Sequence, residues 1–411
     1  VTDPRMPIRA KVASSVSRTA AALSRAAGRG DGSVIGGWIG LKIDPDLLRN
    51  LAHGRAIALV SGTNGKTTTT RLAAAAVGVL GPVATNSFGA NMPTGHTSAL
   101  AKAGTTPYAV LEVDEHYLPR VIEDTTPHVV ALLNLSRDQL DRAKEVAMMA
   151  QMWRTALAAH PDVHVVANAD DPMVVWAAAH APHVRWFSAG QRWHDDSWVC
   201  PESGDPIERS GGDWWCTGCW LRRPAPQWQV EDDGVVDPGG DWHLIKLQLP
   251  GRVNLGNAAT ALALAAEFGV RPIEAVSRLS TVASVAGRYA QVERDGRLIR
   301  LLLAKNPASW LEAFDMAELA PTLLSINARD PDGFDTSWLY DVDFSPLRGR
   351  PVLITGERAY DLAVRLEVND VPFRHVRTFD EAIASTPAGR LEVIANYTAF
   401  QDIRAELNRV N

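Results

Sequence analysis

The chain has 411 residues, more than a single core ordinarily holds, so two or three domains are expected. Its 46% apolar and 21% charged residues describe an ordinary globular protein, and a net charge of −6 carries no nucleic-acid signal. No apolar run approaches the roughly 20 residues of a membrane span. Three cysteines argue against a disulfide-stapled exported protein, so a cytoplasmic location is expected.

Residues 5–29 are basic and rich in Ala and Ser, with Val12, Val16 and Leu23 spaced along one helical face. A targeting peptide needs a longer apolar block and a cleavage site. The expected structure is a helix packed on the next domain, and contact with an anionic membrane surface is the alternative. Gly28-Arg-Gly-Asp-Gly32 signals a loop, and the chain to His53 reads as a helical lead-in over 1–53.

Next comes Ala56-Ile-Ala-Leu-Val-Ser-Gly-Thr-Asn-Gly-Lys-Thr-Thr68. The apolar run 57–60 predicts a buried strand, Gly62 breaks it, and a helix is expected from about Lys66. Strand, small-residue loop and helix N-terminus together form a phosphate cradle of backbone N–H groups. Gly62, Thr63, Asn64, Gly65, Lys66, Thr67 and Thr68 are therefore the candidate ATP contacts. Lys66 is expected against the β- and γ-phosphates as a catalytic charge, and the Thr67 hydroxyl on Mg²⁺. The common pattern has Gly five places before Gly65, where this chain has Val60.

Over 54–290 apolar runs alternate with Ala-rich helical stretches, which predicts βα units and a mostly parallel sheet. Ligands of such sheets gather at the carboxyl ends of the strands. Three motifs end three of these runs: Leu111-Glu-Val-Asp-Glu-His116, Leu133-Asn-Leu-Ser-Arg-Asp-Gln-Leu-Asp-Arg142 and Ala167-Asn-Ala-Asp-Asp-Pro172. A carboxylate at a strand end can hold Mg²⁺ or be a solvated loop group. Asn168 and Asp171 can serve a base or ribose, although Asp-Asp-Pro is also a turn signal.

A Trp-rich insertion at about 193–223 carries Cys200-Pro-Glu-Ser-Gly204 and Cys216-Thr-Gly-Cys219. Two Cys-x-x-Cys hooks would form a zinc ribbon, but Ser203 replaces one thiol. Two readings stand: zinc on Cys200, Cys216 and Cys219, with His194 as a substitute fourth ligand, or an aromatic hairpin with three free thiols.

These motifs, in this order, resemble the central domain of the Mur ligase family, which includes folylpolyglutamate synthases. The resemblance continues through Asn86-Ser-Phe-Gly-Ala-Asn-Met-Pro-Thr-Gly95, Gly251-Arg-Val-Asn-Leu-Gly-Asn257 and Gly287-Arg288. It implies Mg²⁺ held by Thr67 and Glu112, and Asn257 near the adenine. Many Mur ligases have Asp-His-Leu-Asp where this chain has Asp138-Gln-Leu-Asp141. The region 291–411 contains Lys305-Asn-Pro-Ala-Ser309, Asp332-Gly-Phe-Asp-Thr-Ser-Trp-Leu-Tyr-Asp-Val-Asp-Phe344, Thr355-Gly-Glu-Arg-Ala359 and Asn396-Tyr-Thr-Ala399. It resembles the MurT-type ligase subunits of lipid II isoglutaminyl synthases, in which the Ser309 position is usually Gly.

The resemblance implies an α/β fold, with a P-loop domain, a small ribbon-like insertion and an α/β C-terminal domain. It also implies an ATP-dependent amidation of the D-Glu α-carboxyl in the lipid II stem peptide, with ammonia from a GatD-type glutaminase partner. An Asp of the 330–343 loop would complete that partner's Cys–His pair. Asp332, before Gly333, reads as a turn former; Asp335 reads as a cap or the donor. Asp341, between Tyr340 and Val342, has no evident backbone duty and ranks first, Asp335 second. The rival readings are a single-chain ligase adding an amino acid and a nucleotide-binding subunit without turnover.

Overall fold

The computed structural model describes residues 6–27, 32–86, 90–137, 146–282, 289–317 and 319–410. Of the motifs above, residues 28–31, 87–89, 138–142 and 287–288 lie outside that set. Two compact units divide the chain: 1–135 with 145–248 and 253–283, and 136–144 with 249–252 and 284–411.

The first unit opens with three helices, α1 (Ile8–Ala26), α2 (Ser33–Ile43) and α3 (Leu47–Ala52). It continues through β1 (Ala56–Ser61), α4 (Lys66–Val77), β2 (Val83–Ala84), α5 (Pro93–Ala103), β3 (Tyr108–Glu112), α6 (Leu118–Thr125) and β4 (Val129–Leu132). Then follow α7 (Val146–Ala159), β5 (His164–Asn168), α8 (Pro172–Ala178), β6 (Val184–Ser188), β7 (Ile207–Ser210), β8 (Asp213–Cys216), β9 (Trp228–Glu231), β10 (Gly234–Val236) and β11 (Trp242–Leu244). Helices α9 (Val253–Glu267) and α10 (Pro272–Leu279) close it.

Its nine-stranded sheet has the order β11-β10-β9-β6-β5-β4-β1-β3-β2, parallel from β2 to β9 and antiparallel beyond. Both faces of the central strands β1, β3, β4 and β5 are covered, so these strands are buried on both sides. Ile57 and Leu59 of β1 join one core with α3, α6 and α7, while Ala58 and Val60 join the other with α4 and α9. Burial of these two faces, not helix propensity, holds the Ala-rich helices in place.

α1 packs as expected but with the opposite face. Its buried residues are Ala10, Ala13, Ser14, Ser17, Ala21 and Ser24, whereas Val12, Val16 and Leu23 are exposed. The cause lies in α2: a Cβ on Gly36 would come within 2.7 Å of the Ser17 carbonyl oxygen, and one on Gly40 within 3.2 Å of the Ser17 Cβ. Only small side chains fit so close an approach.

In the second unit, β12 (Tyr289–Arg294), β13 (Arg297–Leu303), α11 (Pro307–Met316), β14 (Thr322–Ser325), β15 (Val352–Thr355), α12 (Ala359–Val368), β16 (Phe373–His375), α13 (Phe379–Ala384), β17 (Gly389–Ala395) and α14 (Tyr397–Val410) build a six-stranded sheet between helices. The strand order is β12-β13-β17-β14-β15-β16, parallel except for β12. Among the described residues no helix is long and apolar enough to cross a membrane.

Candidate nucleotide-binding site

β1 delivers the chain to a tight loop at the carboxyl edge of the sheet. Gly62 has φ 144° and Gly65 φ 84°, which side-chain-bearing residues rarely adopt. Space excludes a side chain as well, since a Cβ on Gly62 would lie 2.8 Å from that of Leu133. Val60 is fully buried within β1, paired with Glu112, so the turn starts only at Gly62 and an earlier glycine is not needed.

Asn134, at the end of β4, clamps the loop. Its Oδ1 accepts from Asn64 N (2.8 Å), its Nδ2 donates to Asn64 O (3.1 Å), and its carbonyl accepts from Thr63 N (2.9 Å). α4 then begins at Lys66, with Lys66, Thr67 and Thr68 all buried. The Lys66 Nζ donates to Gly62 O (2.6 Å), Thr63 O (3.2 Å) and Glu115 Oε2 (2.9 Å). Glu115 is a site residue that sequence reasoning passed over, although it stood inside a quoted motif.

Glu112 ends β3, directly beside β1. Asn86 grips its backbone at both ends, Oδ1 accepting from Glu112 N and Nδ2 donating to Glu112 O, each at 2.8 Å. The carboxylate is buried, and among the described residues its Oε2 has no hydrogen-bond partner. Arg71 interacts with it electrostatically, yet a buried acidic oxygen without a donor stays open to a cation, so the residue fits a Mg²⁺ ligand. His96, which sequence reasoning also missed, places Nε2 2.7 Å from Glu112 O. A carbonyl only accepts, so Nε2 carries the proton. Full burial lowers the His96 pKa to about 4.

The other candidates lie nearby with structural duties. Asn257 Oδ1 accepts from Thr69 Oγ1 (3.0 Å), and a Cβ on Gly65 would lie 2.7 Å from that Oδ1. Asn257 therefore packs on the loop and the first turn of α4. Asn168 donates to Leu133 O (2.8 Å). Asp171 caps α8 with Oδ1, which accepts from Met173 N and Val174 N, and its Oδ2 accepts from Leu135 N. Burial raises its pKa to about 6 against the pull of those three donors. The turn reading of Asp-Asp-Pro thus describes its local work.

The insertion forms the β7–β8 hairpin, anchored by Trp214 Nε1 donating to Ala169 O (3.0 Å). The Sγ atoms of Cys200, Cys216 and Cys219 all lie within 4.8 Å of one another, and His194 is outside that group. Ser203 Oγ sits 3.3 Å from Cys216 Sγ, and the N–H groups of Gly218 and Leu221 donate to Cys216 and Cys219 sulfur. Burial pushes the Cys216 thiol up, but these donors and the other two thiols outweigh it and bring the pKa to about 7. Three convergent sulfurs with backbone donors suit zinc.

In the second unit, the 3₁₀ turn Ser337–Asp341 borders a cleft of about 350 Å³ lined by Phe334, Asp335, Tyr340, Arg358 and Arg365. Asp335 is exposed there, its Oδ1 accepting from Ser337 N at 2.8 Å, a contact that lowers its pKa. Asp341 is ion-paired with Arg137 (3.3 Å). Asp332 accepts from Thr398 N (2.9 Å), tying this loop to the Asn396-Tyr-Thr-Ala399 motif. Ser309 Oγ accepts from the N–H groups of Lys305 and Asn306, so its hydroxyl builds the cap of α11.

Residues 60–265 match the Mur ligase middle domain, and the chain belongs to the Mur ligase family. Within it, residues 303–400 match the MurT ligase C-terminal domain. The MurT subunit of lipid II isoglutaminyl synthase (glutamine-hydrolyzing) from Staphylococcus aureus strain COL is 29% identical, over 94% of this chain and 95% of its own. The subunit of that name from Streptococcus pneumoniae strain ATCC BAA-255 / R6 is also 29% identical, over 91% and 92%. Two solved structures share the fold. A pseudomurein peptide ligase type C from Methanothermus fervidus has TM-score 0.66 and 17% identity, covering 87% of this chain and 79% of that one. MurF from Acinetobacter baumannii has TM-score 0.65 and 17% identity, covering 92% and 81%.

Proposed function

We propose that this chain is the ATP-using ligase subunit of a lipid II isoglutaminyl synthase, working at the cytoplasmic face of the membrane. One observation carries the reading: the likeness to MurT subunits spans nearly the whole chain, and residues 303–400 match the MurT ligase C-terminal domain. An oxygen of the D-Glu α-carboxylate attacks the γ-phosphorus of ATP, the bond to the β-phosphate bridging oxygen breaks, and ADP leaves. Ammonia then adds to the acyl carbon, phosphate departs and a proton is lost, giving the amide. A carboxylate is a poor electrophile, and the acyl phosphate supplies the leaving group.

In this reading, the loop N–H groups from Thr63 to Thr68 bind the phosphates. Lys66 leaves Glu115 for the β- and γ-phosphate oxygens and stabilises the charge of phosphoryl transfer. Glu112 and the Thr67 hydroxyl would hold Mg²⁺, which neutralises phosphate charge when bound. Asn257 braces the loop near the adenine, and Asn168 and Asp171 would stand beside the base or ribose. Cys200, Cys216 and Cys219 would hold a structural zinc ion.

Ammonia comes from a GatD-type glutaminase partner whose Cys–His pair takes a carboxylate from this chain. Asp335 is favoured over Asp341, because it is exposed on a cleft whereas Asp341 already has Arg137. The test is copurification with a glutaminase, followed by incubation with ATP, glutamine and lipid II. Mass analysis should show replacement of one OH by NH₂. Amino-acid addition by the chain alone would overturn the reading in favour of a single-chain ligase.

A further inference from the structure

The N-terminal helix pair is built inside out for a protein surface in water. α1 turns Ile8 (82% exposed), Val12, Val16 and Leu23 (66%) to the outside along one stripe, four, four and seven residues apart, while burying alanine and serine. α2 does likewise, burying Gly36, Gly37 and Gly40 and exposing Val34, Ile35 and Trp38. Close packing through small residues with large apolar groups outward is the arrangement of helices whose surroundings are lipid.

Charge identifies what covers this face. Residues 6–27 and 32–43 carry Arg9, Lys11, Arg18, Arg25 and Lys42 and no acidic residue, although the whole chain has a net charge of −6. Lys42 Nζ lies 5.6 Å from the centre of the Trp38 ring. An amphipathic indole beside a cation suits the boundary between headgroups and acyl chains. α1 has 19 residues but is not apolar enough to span, so it would lie in the interface plane.

We propose that α1 and α2 form a docking face for an anionic lipid bilayer, with the exposed aliphatic residues and Trp38 inserted and the basic side chains at the headgroups. This stands on the helix surfaces themselves. Only its purpose, bringing the site to a lipid-linked substrate, rests on the proposed function.

The test is sedimentation of the full chain with vesicles, without ATP or lipid II, so that its outcome is separate from the enzymatic reading. Vesicles of about three parts phosphatidylcholine to one part phosphatidylglycerol should carry the protein down, phosphatidylcholine alone far less, and added salt should release it. The triple variant Ile8→Ser, Val12→Ser and Leu23→Ser should partition at least about tenfold more weakly, since each loses buried aliphatic area. Arg18→Gln with Arg25→Gln should lower binding to anionic vesicles by a similar factor without altering the apolar face. Circular dichroism checks that both variants keep their helices. The proposal is overturned if the unaltered chain stays in solution with anionic vesicles, or if both folded variants bind as well as it does. Dimerisation through this face without vesicle binding would assign the surface to protein contact instead.

Discussion

Lys66 Nζ and Glu115 Oε2 stand 2.9 Å apart at the start of α4, with side chains only 4% and 11% exposed. The pair bridges 49 residues of sequence because β1 and β3 are neighbours in the sheet. A buried ammonium without a counter-charge is expensive, so Glu115 supplies that charge in the nucleotide-free chain. Glu115→Gln should lower the stability of the nucleotide-free chain by about 3 kcal/mol, the low end for a broken buried pair whose lysine keeps carbonyl acceptors. Saturating ATP should restore much of that loss, read as a shift in urea midpoint. Equal midpoints for variant and unaltered chain would show that the pair does not matter. Lys66→Ala, by contrast, should remove about 3–4 kcal/mol of transition-state stabilisation and abolish ligase turnover while the chain stays folded.

Asn134 gives the loop its shape without touching the reacting groups. Its side chain makes two bonds to the Asn64 backbone. Losing both should cost about 1–3 kcal/mol of loop ordering. Asn134→Ala is therefore expected to raise the KM for ATP about tenfold or more, with a smaller change in kcat. An unchanged KM would mean that the loop holds itself.

The parts of this site legible in the sequence are those fixed locally. Gly62 and Gly65 are demanded by the turn, and α4 follows directly from Lys66. What escaped reading depends on neighbours far along the chain. Glu115 acquires its role from Lys66 at a separation of 49 residues, and His96 from the Glu112 carbonyl. Periodicity likewise showed that Val12, Val16 and Leu23 share a face. Which face is buried was decided by the glycines of α2.

His96 makes the fold sensitive to acid. Its pKa falls from 6.5 unfolded to about 4 folded. Above pH 6.5 both states are neutral and the full stability is present. As pH falls from 6.5 towards 4, the unfolded chain takes up a proton that the folded chain refuses, so stability is lost. The shift corresponds to roughly 3 kcal/mol. His96→Gln should flatten the stability profile between pH 7 and pH 4.5, as measured by urea unfolding. An unchanged slope would remove His96 from the account.

The three-sulfur cluster predicts metal dependence. Purified chain should carry about one zinc and lose stability with chelator, because metal binding energy is folding energy in such a hairpin. Ser203 Oγ already lies 3.3 Å from Cys216 Sγ. Ser203→Cys should therefore supply a fourth thiolate and slow zinc loss to chelator. Elemental analysis finding no zinc in either protein would leave a hairpin held by Trp214 and its bond to Ala169 O.

For the carboxylate proposed to serve a glutaminase partner, sequence and structure lead to different rankings. Isolation from turn signals put Asp341 first; in the fold it is ion-paired with Arg137, its side chain 35% exposed. Asp335 has the turn-forming bond to Ser337 N that its neighbours suggested, yet its carboxylate stays on an open cleft beside exposed Phe334 and Tyr340. A residue that must orient a partner's imidazole has to be reachable and ionised. The Ser337 donor lowers the Asp335 pKa, which favours the charged form. In the reconstituted pair, Asp335→Asn should abolish glutamine hydrolysis while amidation from added ammonium salt persists. Asp341→Asn should retain glutamine hydrolysis within a few-fold, since it removes an exposed ion pair of the kind worth about 0–1 kcal/mol. The reverse pattern would restore Asp341 as the donor. Normal glutamine hydrolysis by both variants would mean that the partner completes its triad without this loop.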